Sequence, residues 1–185
     1  MSIPVFIQAV PWWPARTKNA IALAQATGGT VIWDEHQSGY LTYLKVLEAV
    51  GDSPAVILED DVELSAHFDD IVDEAVDSRG DSVINFFSYR WKRGGWRRGN
   101  TYTANVCHYL PEGAAASLLE GAEQWNSTRT WRLPDQDMMI RDWLVAGARD
   151  YWFHVPNPVQ HLTFPSVTAD YRSLNRTSPT FGAAS

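Results

Sequence analysis

The sequence predicts an α/β fold, a single-domain α/β/α sandwich with a mixed, mostly parallel central sheet. Three observations predict it. Short β-rich runs alternate with helical patterns along the chain, glycines punctuate the joins, and no internal repeat, low-complexity tract or long linker interrupts the order. Such alternation places crossover helices on both faces of a sheet. "PVFIQAV" (Pro4 to Val10) reads as the first strand, Thr17 to Thr27 as a helix closed by Gly28 and Gly29, and "TVIWD" (Thr30 to Asp34) as the second strand. Tyr40, Tyr43, Leu44 and Leu47 recur at i, i+3, i+4 and i+7, one face of a helix that Gly51 stops. The strand "AVIL" (Ala55 to Leu58) follows, running into Glu59, Asp60 and Asp61. Ser65 then offers an N-cap to a helix striped by Phe68, Ile71, Val72, Ala75 and Val76 and ended at Gly80, before the strand "SVINFFS" (Ser82 to Ser88).

A chain of 185 residues suits one domain, taken as residues 1–185, with residues 162–185 as a C-terminal lid or tail. No apolar run approaches the roughly 20 residues that cross a bilayer, so no membrane association is expected. The start "MSIPVFIQAVPWWPAR" has neither a basic leader nor a long apolar segment, and a cytoplasmic location is the expectation. Cys107 is the single cysteine, which excludes an internal disulfide and a zinc site built on several thiolates. A net charge of -7 argues against a uniformly nucleic-acid-coating surface and leaves room for a local basic patch.

The acids at the end of the "AVIL" run are the first candidate site, because ligands of open α/β sheets bind beyond the carboxyl ends of the strands. In extended geometry Glu59 and Asp61 point to one face and Asp60 to the other. An acidic loop opening a helix is the plainer account. Against it, the acids precede the better cap Ser65 and follow the β-type run without a turn residue. Repelling carboxylates here are most easily tolerated with something positive between them, and oxygen ligation suits Mg²⁺ or Mn²⁺.

"VILEDDVEL" resembles the acidic motif of nucleotide-sugar-dependent glycosyltransferases of the GT-A fold, in particular the lipopolysaccharide-type and collagen-type galactosyltransferase group with its Leu-Glu-Asp-Asp signature. The likeness continues through "TYTANVCHYLPEGAAASLL", "LPDQDMMIRDWLVAG" and "VPNPVQH", in that order, over most of the chain. The chain is short for the group, so elements that bind the acceptor are expected to be reduced. The resemblance implies a metal-dependent transfer of a sugar from a nucleotide-diphosphate sugar to a hydroxyl, with Mn²⁺ or Mg²⁺ as cofactor. It implies Asp61 as metal ligand, completed by His161, with Glu59 and Asp60 orienting the ribose and supporting the metal shell. It also implies an aspartate beside the acceptor as general base, matched by Asp137 or Asp135. Asp135 follows Pro134 and also reads as an ordinary helix cap. For the nucleotide, the resemblance points to the ends of the first two strands: Ala9, Val10, Pro11, Asp34 and, approaching the diphosphate, Arg16, which reads equally as a surface helix-start arginine. In the tail, Ser166, Arg172 and Arg176 are placed to reach phosphates if the tail folds over the site, disorder being the competing reading. His36, His67, His108 and His154 have no comparable context; His67 at a helix start and His154 in a strand read as structural.

The most unusual composition is "YRWKRGGWRRGNTY". Arg90, Lys92, Arg93, Arg97 and Arg98 interleave with Tyr89, Trp91, Trp96 and Tyr102 around Gly94 and Gly95. This pattern suits phosphate backbones and stacked bases, and aromatic faces stack on sugars too. Arg90, Trp91, Arg93, Trp96, Arg97 and Arg98 are therefore the candidate acceptor contacts, the acceptor being DNA with hydroxymethylated pyrimidines, as in a phage, or a saccharide or protein. A twisted hairpin with a solvated cationic tip is the structural alternative. Two other functions compete: a nucleotidyltransferase, although "AVPWWPAR" lacks a Gly-rich phosphate loop, and a noncatalytic nucleic-acid or carbohydrate-binding module.

Overall fold

The computed structural model describes residues 3–128, 135–164 and 176–182. Within them the elements run β1 (Val5–Ala9), α1 (Pro14–Thr27), β2 (Thr30–Trp33), α2 (Gly39–Val50), β3 (Ala55–Glu59), β4 (Val62–Leu64) and α3 (Phe68–Arg79). They continue with β5 (Ile84–Asn85), β6 (Gly95–Arg98), β7 (Cys107–Leu110), α4 (Ala114–Ser127), α5 (Gln136–Ala146), β8 (Asp150–Phe153) and β9 (Val159–His161). Seven strands form one sheet in the order β2-β1-β3-β7-β5-β8-β6, while β4 and β9 make a separate ribbon. The α/β/α class is as the alternation predicts, and the sheet is mixed. Its parallel pairs, β1 with β2, β1 with β3 and β5 with β8, are matched in number by the antiparallel pairs β3 with β7, β5 with β7 and β6 with β8.

Each face of the sheet has its own core. On one side Tyr43, Val46 and Leu47 of α2, Ala115 and Leu118 of α4, and Ile140 and Leu144 of α5 pack against Ile57, Leu110 and Phe153. On the other, Ala20 and Leu23 of α1 and Phe68, Val72 and Ala75 of α3 cover Ile7, Val56, Leu58 and Ile84. β3 lies between the two, with Ala55, Val56, Ile57 and Leu58 all at 1% exposure or less. That is why its sequence is a continuous apolar run rather than an alternation.

Helix ends differ from expectation where side chains compete for them. α1 begins at Pro14, three residues before Thr17, because proline at the first helical position has no N–H to leave unpaired. α3 is flanked by His67, and Ser65 serves through its backbone, its N–H donating to Pro158 O and its carbonyl accepting from Phe68 N. Ser65 thus links the start of α3 to the chain entering β9, and its hydroxyl has no hydrogen-bond partner among the described residues. The strand foreseen over Ser82 to Ser88 shortens to β5, since Asn85 Oδ1 accepts from Phe87 N and turns the chain. No described helix is long and apolar enough to cross a membrane.

The strand directions gather most strand ends on one edge of the sheet. β1, β2, β3, β5 and β8 all end on it, and β7 and β6 begin on it.

Candidate active site at the carboxyl edge of the sheet

Extended geometry stops at Glu59, and the chain turns at Asp60 and Asp61 before β4. Glu59 and Asp60 diverge as alternation predicts. Glu59 Oε1 accepts from Gln136 Nε2 of α5 at 2.5 Å, whereas Asp60 faces α1. The turn brings Asp61 Oδ2 within 3.3 Å of Arg16 Nη2 on α1, while burial and the nearby Asp61 charge hold the Glu59 carboxyl well above its usual pKa.

Asp60 is fully buried. Its Oδ2 accepts from Val10 N at 2.8 Å, and its Oδ1 accepts from Arg16 Nε at 2.7 Å and also from Arg16 Nη2. Asn19, on the next turn of α1, donates to the carbonyls of both Asp60 and Val62 at 2.8 Å. The positive charge among the acids is therefore a guanidinium: Arg16 is buried, and its Nη2 also lies 3.3 Å from Asp61 Oδ2. Burial disfavours the charged form of Arg16, but Asp61, Asp60 and Glu59 outweigh it and raise its pKa. Burial likewise pushes the Asp60 carboxyl up, opposed by Arg16 and the Val10 N–H. Such a pair gives little net stability, yet removing one partner strands the other. Asp60→Asn should consequently lower unfolding stability by about 3–5 kcal/mol, read as a shift in the denaturant midpoint at constant m.

Asp61 is differently placed. It is 6% exposed, and its Oδ1 is buried without a hydrogen-bond partner among the described residues. Its Oδ2 lies 3.6 Å from His161 Nε2. The ribbon makes this meeting: Val62 pairs with His161 in the β4–β9 register, and Leu162 N donates to Asp61 O at 2.7 Å. Burial pulls the His161 pKa down, with Arg176 and Arg16 adding to the effect and Asp61 opposing it. A neutral imidazole and an unpaired carboxylate oxygen are a donor set that suits Mn²⁺. Among the described residues no group of three or more His, Cys, Asp or Glu side chains is assembled for a metal ion. A cation held by Asp61 and His161 alone would keep positions open for phosphate oxygens and water.

Across the edge, Asp135 caps α5, its side chain accepting from Asp137 N at 2.8 Å. Asp137 Oδ2 accepts from Ala104 N at 3.0 Å and Oδ1 from Asn105 N at 2.9 Å. Ala104 turns both amides toward the carboxylate by taking the left-handed conformation, φ 61°, at a cost of about 1 kcal/mol for a non-glycine residue. Burial raises the Asp137 pKa to about 6, helped by Asp135 and opposed by the two amides and by Arg176.

At the ends of the first two strands, Ala9 O accepts from Asp34 N at 2.7 Å and Pro11 O from Thr17 Oγ1 at 3.1 Å. Asp34 is buried; its Oδ1 accepts from His36 N at 2.9 Å while its Oδ2 has no partner among the described residues. Gln8 Oε1 and Gln136 Oε1 are further buried acceptors of this kind. Unpaired buried acceptors are rare in folded chains and suit hydroxyl or N–H donors of a ligand. Ser166 and Arg172 lie outside the described residues. Arg176 lies within them, and the tail returns because Asn157 Oδ1 accepts from Ser178 Oγ at 2.6 Å and Gln160 Oε1 from Ser178 N at 2.8 Å.

Gln136, Asn19, Ala104 and Asn105 escape the sequence reading because they carry no charge. Gln136 does stand between the two aspartates already singled out. Of the histidines without such context, His108 is buried with its Nε2 3.0 Å from Tyr43 Oη, and burial lowers its pKa to about 3. Asp142 accepts from Trp125 Nε1 at 3.1 Å and so ties α5 to α4.

The basic and aromatic segment rises at the far end of the same edge. It is not a hairpin with β5: β6 pairs with β8, Trp96 opposite Trp152, and is the edge strand. Arg97 stacks over Trp91, 4.8 Å from the ring centre, and donates to Arg93 O and Trp96 O, so it shapes the loop. Arg90 lies 5.0 Å from the Tyr89 ring centre, and Lys92, Arg93 and Arg98 are exposed. In comparisons with known proteins, no family model matches the chain and no curated protein is significantly similar to it.

Proposed function

We propose that the protein is a metal-dependent glycosyltransferase of the GT-A kind that moves a sugar from a nucleotide-diphosphate sugar to a hydroxyl. The observation that carries this reading is the presence, on one sheet edge, of Asp61, whose Oδ1 has no partner among the described residues and whose Oδ2 lies 3.6 Å from His161 Nε2, and of a second carboxylate, Asp137, clamped by two backbone amides. The Leu-Glu-Asp-Asp motif and the order of the later motifs support it. Asp61 and His161 would hold Mn²⁺ or Mg²⁺, which when bound supplies positive charge to the leaving diphosphate.

The chain's own groups carry the rest. Asp34 Oδ2, Gln8 Oε1 and Gln136 Oε1 accept hydrogen bonds from the nucleotide and sugar, and Glu59 is held by Gln136 behind them. Arg16 and Arg176 contribute positive potential where the diphosphate leaves. Asp137 takes the proton of the acceptor hydroxyl as its oxygen bonds to the anomeric carbon. The bond from that carbon to the diphosphate breaks with its electron pair on the diphosphate, so charge and atoms balance.

Hydrolysis of a panel of nucleotide-sugars, measured with Mn²⁺ and in excess chelator, tests the reading. At least one donor should be cleaved only with metal, and His161→Ala should shift the Mn²⁺ titration to higher concentration. No turnover of any donor would favour a noncatalytic binding module. Release of diphosphate from nucleoside triphosphates instead would favour a nucleotidyltransferase.

A further inference from the structure

In a chain of net charge -7, five cations fall between Arg90 and Arg98, and the structure arranges them unequally. Arg97 is occupied with Trp91 and two carbonyls, whereas Lys92, Arg93 and Arg98 are exposed. Trp96 is 49% exposed on the edge strand, supported edge-on by Trp152 with ring centres 5.5 Å apart, and Arg79 lies over Trp152 at 4.7 Å. The indole is thus held on a rigid strand while presenting half its surface. Asp150 stands opposite Arg98 in the register, with exposed Arg149 beside it in sequence. Three further exposed cations, Arg90, Lys92 and Arg93, precede the other end of the strand. That end is the one at the site edge, because Gly95 pairs with Phe153 where β8 terminates.

We infer that this edge binds a single-stranded nucleic acid, with Lys92, Arg93 and Arg98 on its phosphates and Trp96 stacked on a base. Cations alternating with a supported, half-exposed aromatic fit a polyanion that carries free planar faces. A duplex keeps its bases stacked on one another and offers the indole none. The exposed cations before Gly95 draw the bound strand toward the carboxyl edge. A hydroxyl of the bound strand is then the acceptor, a step that rests on the glycosyltransferase reading; binding itself does not.

The test is fluorescence anisotropy of the full chain with labelled single-stranded DNA, single-stranded RNA and duplex DNA across a salt series. Both single strands should bind, more tightly than the duplex, with affinity falling as salt rises. Lys92→Ala with Arg93→Ala should reduce the slope of log affinity against log salt by about 1.4, at about 0.7 for each single-strand phosphate contact. Trp96→Ala should weaken binding about five- to 150-fold, the range for loss of one stacked base, and Trp96→Phe should fall between. Asp61→Asn should bind the oligonucleotides like the wild type, which separates failure of this surface from failure of the metal site. The inference is overturned by no binding at low salt, by an unchanged slope in the double variant, by wild-type affinity in Trp96→Ala, by duplex bound more tightly than single strands, or by lost binding in Asp61→Asn.

Discussion

Asp61→Asn should reduce sugar transfer by about 10²–10³-fold, the scale for removing one preorganised stabiliser of developing charge, while the protein unfolds at nearly the wild-type temperature. The two halves of that expectation have separate causes. Asp61 Oδ1 has no hydrogen-bond partner among the described residues, so amide substitution there breaks no bond that holds the fold. The contacts that the substitution weakens are the 3.3 Å approach of Arg16 Nη2 and the 3.6 Å approach of His161 Nε2, and Arg16 keeps its bonds to Asp60. What is lost is the negative charge that a cation requires. Asp60→Asn inverts the pattern, acting on stability first, because Asp60 is where Arg16 is anchored. Transfer assays with thermal unfolding of both variants, and a Mn²⁺ titration of each, separate the roles. Wild-type turnover in Asp61→Asn, or full activity in excess chelator, would remove the metal site.

The contrast between neighbouring aspartates shows what the sequence carries. Strands and helices were legible because burial imposes periodicity: the stripe through Tyr40, Tyr43 and Leu47 has one explanation, and the unbroken Ala55 to Leu58 run has one as well. The place of the acids at the carboxyl edge followed from the topology, since they end a strand parallel to β1. What Asp60 and Asp61 each touch was not legible. Repelling carboxylates do need a positive charge between them, but Arg16 supplies one from a helix 44 residues earlier. The β4–β9 ribbon escaped because each strand is three residues long and carries no usable alternation, yet that pairing alone sets His161 beside Asp61. Neutral partners were invisible for the same reason throughout. Gln136 and the amides of Ala104 and Asn105 act through geometry, and geometry at a turn depends on a single left-handed residue that alanine does not advertise.

Asp137→Asn should lower the transfer rate by about 10²-fold or more, the usual loss for a general base, with donor KM near the wild-type value. Burial and Asp135 push the Asp137 carboxyl up to about 6. The base form is the deprotonated one, so the wild-type rate should rise with pH through about 6 and level off above it. In the asparagine variant that limb should disappear. The substitution also carries a structural cost, since Asp137 accepts from two amides and an asparagine must turn its NH₂ toward one of them. One buried N–H is left unpaired, about 1–3 kcal/mol of stability, so rates are to be compared below the variant's own unfolding temperature. Asp135→Ala separates cap from base. Removing the cap costs about 1 kcal/mol, and removing its charge relieves part of what raises Asp137. The pH limb should therefore move to lower pH while the plateau rate stays high. A collapse of the plateau in Asp135→Ala with normal turnover in Asp137→Asn would transfer the catalytic role to Asp135. Near-normal rates in both variants would mean that neither carboxylate takes the acceptor proton.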